Sequence, residues 1–219
     1  MVVPRIEEVW YVSYGSNTHL GRLMAYVGGG RAAGSSRHHP GCRDPRPPRE
    51  SRAVELAGAV YFATESLLWT GGRAFYDPDV PGRVYARAHL VTAGQFSDIA
   101  AQEMYRAPGT DLDLAAAVRD GRTALGEGRY ETLVCAGHLD GLPLLTFTAP
   151  WSLADVPLNP PSAAYLSHLA AGLLEAGAWD EDAVAAYLAG CPGVAGHWPP
   201  ERVADFTAAA RSGLSRRSR

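Results

Sequence analysis

The sequence predicts a mixed α+β fold built as one domain. Three observations carry that expectation. Short aromatic and β-branched runs cluster, with helical patterns between and after them. One such run, Val9–Tyr14, passes through Gly15-Ser16-Asn17 straight into a helical pattern. Glu131–His138 and Leu142–Ala149 read as two strands joined at Asp140-Gly141, a strong hairpin signal. A length of 219 residues fits one domain, with or without a tail, and 47% hydrophobic residues suffice for a core.

The elements follow in order. Val9–Tyr14 is aromatic and β-branched and reads as a buried strand. The helix after the 15–17 turn has Leu20, Leu23, Met24 and Val27 at helical spacing. Residues 28–52 are rich in Gly, Pro and Arg and read as a long loop, of a length that is often functional. Its Arg31, Arg37, Arg43, Arg46, Arg49 and Arg52 outnumber Asp44 and Glu50, a balance that would draw an acidic substrate. Ala53–Thr64 and Arg83–Val91 read as strands, with a further strand and turn at Arg73–Asp79. Ala93–Tyr105 reads as a helix with Phe96, Ile99, Ala100 and Met104 as its apolar stripe. Residues 107–128 hold a polar loop and a short helix. Ser162–Ala176 and Asp180–Gly190 are helices, the second with an Asp cap. We expect one domain over 1–198, then a C-terminal segment, 199–219, with a basic, disordered tail.

Composition removes whole classes of chemistry. Net charge is −3, against a main role in coating nucleic acid or an anionic membrane. All 20 basic residues are Arg, so there is no lysine for a Schiff base or a P-loop. With abundant Ala, Gly and Pro, this usage points to a GC-rich bacterial genome. Cys42, Cys135 and Cys191 are odd in number and widely spaced, which fits neither a disulfide framework nor a CxxC zinc site. Cys135, in an apolar run, reads as a core residue. No signal peptide or apolar run long enough to span a bilayer stands out, so a cytoplasmic setting is expected.

Three motifs stand out. Tyr14-Gly15-Ser16-Asn17 lies between strand and helix, where backbone N–H groups converge to receive an anion or a developing oxyanion. The plain alternative is a capped turn. Glu103 lies near the end of a helix whose face carries Phe96, Ile99 and Ala100. A carboxylate on the apolar side of a helix suits general acid or base work. The alternative is a surface glutamate. Trp69-Thr70-Gly71-Gly72 marks a tight bend where a ligand or another backbone comes close.

In their order, these pieces resemble the γ-glutamylcyclotransferase family over roughly residues 9–190. Tyr14–Asn17 matches its "YGSN" substrate loop and Trp69–Gly72 its "WxGG". Glu103 falls on the glutamate of its "LxxLDxxEG" helix. Pro161-Ser162 through Tyr165 to Gly172 matches its "PSxxYLxxLxxG" helix. The Asp and Gly of the third pattern are absent, since the chain reads Ala100-Ala101-Gln102-Glu103-Met104. "YGSN" also sets it apart from the glutathione-specific branch, whose loop is closer to "YGSL".

The resemblance implies a small mixed β-barrel or sheet flanked by helices. It implies release of 5-oxoproline and a free amine from a γ-glutamyl amide, with no cofactor and no metal. It gives Glu103 the acid/base role. It gives Tyr14, Gly15, Ser16, Asn17, Trp69, Gly71 and Gly72 to substrate binding. Tyr105 and Arg106 would reach the substrate's α-carboxylate, a planar anion that suits Arg. The expected partner is a small γ-glutamyl molecule, a specialised metabolite included, with the chain a monomer or homodimer. An amide hydrolase on the same fold and a non-catalytic γ-glutamyl-binding module are the alternatives. Chains of this kind are also associated with the name histone deacetylase. A zinc deacetylase needs clustered His and Asp ligands, and His38-His39 with Cys42 stands alone.

Overall fold

The computed structural model describes residues 6–32 and 37–217. The fold is α+β, a sheet flanked by helices, as the patterning predicts. The chain forms two compact units that alternate in sequence. One holds Met1–Ser13, Gly21–Arg52 and Ala88–Pro150; the other holds Tyr14–Leu20, Ala53–Arg87 and Trp151–Arg219.

In the first unit, strand β1 (Glu8–Ser13) buries Val9, Trp10, Tyr11 and Val12 in succession, as a strand covered on both faces must. Helix α1 (Leu20–Gly28) sinks Leu23, Tyr26 and Val27. Residues 28–52 are more ordered than the expected loop. They hold a two-stranded ribbon, β2 (Gly30–Arg31) with β3 (His38–His39), and then the start of β4 (Glu50–Ala57). Residues 33–36 lie outside the described residues. The arginines of this stretch are largely matched to carboxylates: Arg43 to Asp98 and Asp111, Arg46 to Asp44, Arg49 to Glu8, and Arg52 to Glu50 and Asp140. Their charge is therefore mostly spent inside the protein rather than offered to an acidic substrate.

Strand β5 (Ala59–Ala63), strand β6 (Arg73–Asp77) and strand β7 (Arg83–Thr92) come next. The chain passes between the units within β4 and again within β7. Helix α2 (Ala93–Glu103) starts at once after β7. Thr92 and Gln95 form a reciprocal capping box there. Phe96, Ile99 and Ala100 are fully buried, as the stripe predicts, while Met104, its fourth member, is only half-buried just past the helix end. The helix stops at Glu103 rather than Tyr105, because Met104 caps it and Tyr105 turns to φ 58°. Residues 107–128 contain α3 (Ala115–Asp120) and a short strand, β8 (Arg122–Ala124). The hairpin β9 (Thr132–Leu139) and β10 (Leu142–Thr148) turns at Asp140 and Gly141, with φ 50° and 79°. Both are left-handed, as this turn type demands. Cys135 is half-buried on β9, not a core residue. β10 pairs parallel with β1, and the sheet order is β4-β7-β1-β10-β9-β8. Tyr11 stacks on Phe147 at 5.5 Å and meets Phe96 edge-on at 5.9 Å, locking α2 to the sheet.

In the second unit, β5 and β6 form an antiparallel pair with Tyr61 opposite Phe75. Helix α4 (Ala163–Ala176) is capped by Ser162, whose Oγ accepts from the Tyr165 N–H at 3.2 Å. Helix α5 (Glu181–Gly190) is capped by Asp180. The C-terminal tail expected to be disordered is instead helix α6 (Pro200–Arg217). Its first residue, Pro200, is pre-set for a helix start. It packs on α4 and α5 through the buried Val203 and Thr207. Residues 218–219 lie outside the described residues. No helix among the described residues is long and apolar enough to cross a membrane.

Candidate functional site

In the second unit, three sequence motifs meet. After β1 the backbone passes Tyr14 and Gly15 into a 3-10 turn, Ser16–Thr18. Thr18 closes it twice, by its N–H to the Gly15 carbonyl at 3.1 Å and by its hydroxyl to the same oxygen at 2.9 Å. Asn17 is buried. Tyr14 is buried against Tyr76, ring centroids 5.7 Å apart. Helix α4 lies close over this turn. A Cβ on Gly15 would come 3.5 Å from the Tyr165 hydroxyl. A Cβ on Gly172 would collide with the Thr18 hydroxyl and reach 2.6 Å from the His19 nitrogen. Glycine at 172 is thus what lets α4 sit on the turn. His168 completes the contact, its Nε2 being 2.9 Å from the Ser16 carbonyl oxygen.

Trp69 joins the same cluster. Its indole stacks on Tyr165 at 5.2 Å and 12° and lies 4.7 Å from the His168 ring. The Trp69 carbonyl accepts from the Ser162 hydroxyl at 2.6 Å. Gly71 and Gly72 answer the question the sequence leaves open: what approaches them is another backbone. A Cβ on Gly71 would strike the Pro160 carbonyl, and one on Gly72 the Asn159 carbonyl. The Gly72 N–H donates to Pro160 at 2.8 Å. Behind the turn, Glu175 accepts from the Leu20 N–H at 3.0 Å and pairs with Arg87 at 3.2 Å.

In the first unit, Glu103 ends α2 and is half-buried. It shares a side-chain hydrogen bond with the phenol of Tyr26, on α1. Burial first, and then the Glu103 charge, push the Tyr26 phenol well above its ordinary range. Around them lie Arg22, whose guanidinium carbon is 5.4 Å from the Tyr26 ring centroid, and His39, whose ring is 3.9 Å from it. Burial, with the charges of Arg22 and Arg37, lowers His39 to about 4. Glu103 also lines a cavity of about 170 Å³ together with Met104, Tyr105, Gly128, Arg129, Tyr130 and Glu131. Tyr105 is 58% exposed and has the guanidinium carbons of Arg37 and Arg129 at 4.4 and 4.8 Å from its ring centroid. Arg106 pairs with Glu131, so its charge is already matched.

Sequence reasoning misses two features of this unit. One is a buried polar stripe on α2: Gln95, Asp98 and Gln102. Gln95 donates to the carbonyls of Asp44 and Arg46 at 3.1 and 2.8 Å, and Gln102 to that of Tyr26 at 3.0 Å. Asp98 accepts from the Arg43 backbone N–H at 2.9 Å and from its guanidinium. The stripe pins residues 42–46 to the helix. The other is an open cleft of about 630 Å³ at the start of α2, edged by Glu7, Asp44, Asp98, Asp111 and Asp113. His38, His39 and Cys42 do not form a ligand set. His38 is exposed, His39 packs on Tyr26, and the Cys42 thiol donates to the Tyr26 carbonyl at 3.4 Å. Among the described residues no group of three or more His, Cys, Asp or Glu is placed to hold a metal.

No protein-family model matches the sequence. The chain is 30% identical over 199 residues to an Arabidopsis thaliana protein named histone deacetylase 5. That alignment takes in 83% of this chain but only 30% of the plant protein, so the chain spans less than a third of its relative's length. A solved structure named gamma-glutamyl cyclotransferase superposes with a TM-score of 0.51 and 16% identity, covering 93% of this chain and 99% of that one. A structure of an uncharacterized Homo sapiens protein superposes with a TM-score of 0.49 and 16% identity, covering 92% and 99%. The first superposition identifies the fold: this chain has the gamma-glutamyl cyclotransferase fold.

Proposed function

We propose that the chain is a γ-glutamylcyclotransferase-like enzyme that releases 5-oxoproline and a free amine from a γ-glutamyl amide. The observation that carries this reading is the gathering of "YGSN", "WTGG" and the Tyr165–Gly172 helix face on one turn of the second unit, on this fold. The substrate's own α-amine attacks its γ-carbonyl carbon. The C–N bond of the new ring forms, the amide C–N bond breaks, and the proton lost by the α-amine leaves on the departing amine. Neither a protein nucleophile nor an electron carrier is needed for that balance. The attack is intramolecular, so folding the glutamyl chain into a near-ring shape supplies much of the rate.

On this reading Glu103 carries the proton from the α-ammonium to the leaving amine. Gly15, Ser16 and Asn17 position the substrate and stabilise the oxyanion through backbone N–H groups. Tyr14 and Trp69 frame the bound group, and Gly71 and Gly72 hold Trp69 in place through the 159–161 backbone. The name of the plant relative belongs to a whole protein of which 30% aligns here.

The test is a mass-spectrometric assay for 5-oxoproline over a panel of γ-glutamyl dipeptides and γ-glutamyl amines, with wild type beside Glu103→Gln. The expected result is release by the wild type and a loss of roughly 10²–10⁴-fold in kcat in the variant. Turnover by Glu103→Gln at the wild-type rate contradicts the role given to Glu103.

A further inference from the structure

The cavity beside Glu103 has on its wall a cation, Arg129, with no ion-pair partner among the described residues. Arg129 is half-buried on its wall. Among the described residues it enters no ion pair, and its contact there is with the face of Tyr105 at 4.8 Å. The other carboxylate on that wall, Glu131, is already matched by Arg106. Arg37 brings a second guanidinium to the same ring at 4.4 Å while donating to the Gln102 carbonyl at 2.9 Å. Tyr105 turns into the left-handed region, φ 58°, to present that ring. A guanidinium drawn partly out of water without a counter-ion favours an incoming anion. Its planar fork suits a carboxylate, held by two charge-assisted hydrogen bonds.

We infer that Arg129, backed by Arg37 across Tyr105, binds a carboxylate of the substrate in the Glu103 cavity. The inference rests on the cyclotransferase reading for the identity of that substrate. It moves the task expected of Arg106 to Arg129, because Arg106 is held by Glu131. Two sources present the same chemistry. One is the α-carboxylate of the γ-glutamyl group; the other is a carboxylate on the leaving amine.

Steady-state kinetics separate them. γ-Glutamyl-L-alanine carries both carboxylates, and γ-glutamyl-ethylamine lacks the one on the leaving side. In Arg129→Ala, KM rises by about 10–100-fold, the equivalent of a lost charge-assisted hydrogen bond, while kcat changes little. Arg129→Lys recovers part of the loss. A rise with both substrates assigns the α-carboxylate, and a rise with γ-glutamyl-L-alanine alone assigns the leaving group. An unchanged KM for both substrates overturns the inference, as does a fall confined to kcat. If Arg129→Ala does not fold, Arg129→Gln takes its place. If the wild type turns over neither substrate, the cyclotransferase reading fails separately. Calorimetric titration of 5-oxoproline and of L-alanine then decides the site. Binding of either that is lost in the variant upholds it. Equal binding by both proteins, or none to the wild type, overturns it.

Discussion

The His168 ring donates from Nε2 to the Ser16 carbonyl oxygen at 2.9 Å. A carbonyl only accepts, so Nε2 carries the proton. The peptide between Ser16 and Asn17 is trans, so fixing the Ser16 C=O also fixes the direction of the Asn17 N–H, which points the opposite way. One side chain on α4 thereby sets the orientation of a loop amide to which we assign oxyanion contact.

His168→Phe tests this. The phenyl ring keeps the stack between His19 and Trp69, now at 5.1 and 4.7 Å, but cannot donate. We expect a loss of about 1 kcal/mol in stability and a fall in 5-oxoproline release. Urea denaturation and the product assay read the two effects. Wild-type values in both contradict the assignment.

Gly172 is the second control on the turn. A methyl there meets the Thr18 hydroxyl, which is itself bonded to the Gly15 carbonyl, and the backbone at the His19 nitrogen and the Thr18 carbonyl carbon. Gly172→Ala is expected to cost about 1–3 kcal/mol through overpacking. The neighbouring Ala171→Gly, which loses only helix propensity, should cost roughly 0.5–1 kcal/mol. Thermal melts of the two variants should rank in that order.

His39 predicts a pH dependence. Its folded value, about 4, lies below the ordinary 6.5, because burial and two arginines favour the neutral ring. The unfolded chain therefore binds the proton first. The stability that neutral His39 allows is full above pH 6.5 and is lost as pH falls from 6.5 towards 4, by up to about 3 kcal/mol. Phenylalanine at this position keeps a ring against Tyr26 and does not titrate. The fall in urea midpoint between pH 7 and pH 5 should be smaller in His39→Phe than in wild type. Equal falls contradict the prediction.

Two thiols should resist alkylation. Cys42 and Cys191 are both pushed up to about 12, Cys191 by burial and Cys42 by burial together with the Asp98 charge. Little thiolate exists at pH 8 in either. Iodoacetamide treatment of the folded protein, read by peptide mass mapping, should leave both largely unmodified. Labelling of Cys42 at the rate of a free thiol would show that its pocket opens readily.

Much of the fold was legible where local chemistry decides it. Asp180 caps its helix because its side chain reaches the orphan N–H groups of the next turn. Asp140-Gly141 turns a hairpin because both positions accept positive φ. What escaped depends on partners distant in sequence. Gln95, Asp98 and Gln102 are polar yet buried, since they satisfy the backbone of residues 42–46 and Tyr26, and no periodicity reveals that. The same contacts order much of the 28–52 stretch. Helix α6 looks like a polar tail because Val203 and Thr207 are the residues it buries completely. At the candidate site, the motif residues were found by pattern, but His168 and Arg129 carry no signal of their own. Their roles come from what lies within reach of them.

Oxygen labelling separates ring closure by the substrate's own amine from attack by water. The wild type is incubated with a γ-glutamyl dipeptide in water enriched in oxygen-18, and the products are weighed by mass spectrometry. Attack by the substrate's own amine predicts unlabelled 5-oxoproline and no labelled glutamate. Glutamate carrying one heavy oxygen would mean that water attacks the γ-carbonyl, and the chain would then be an amide hydrolase on a cyclotransferase fold.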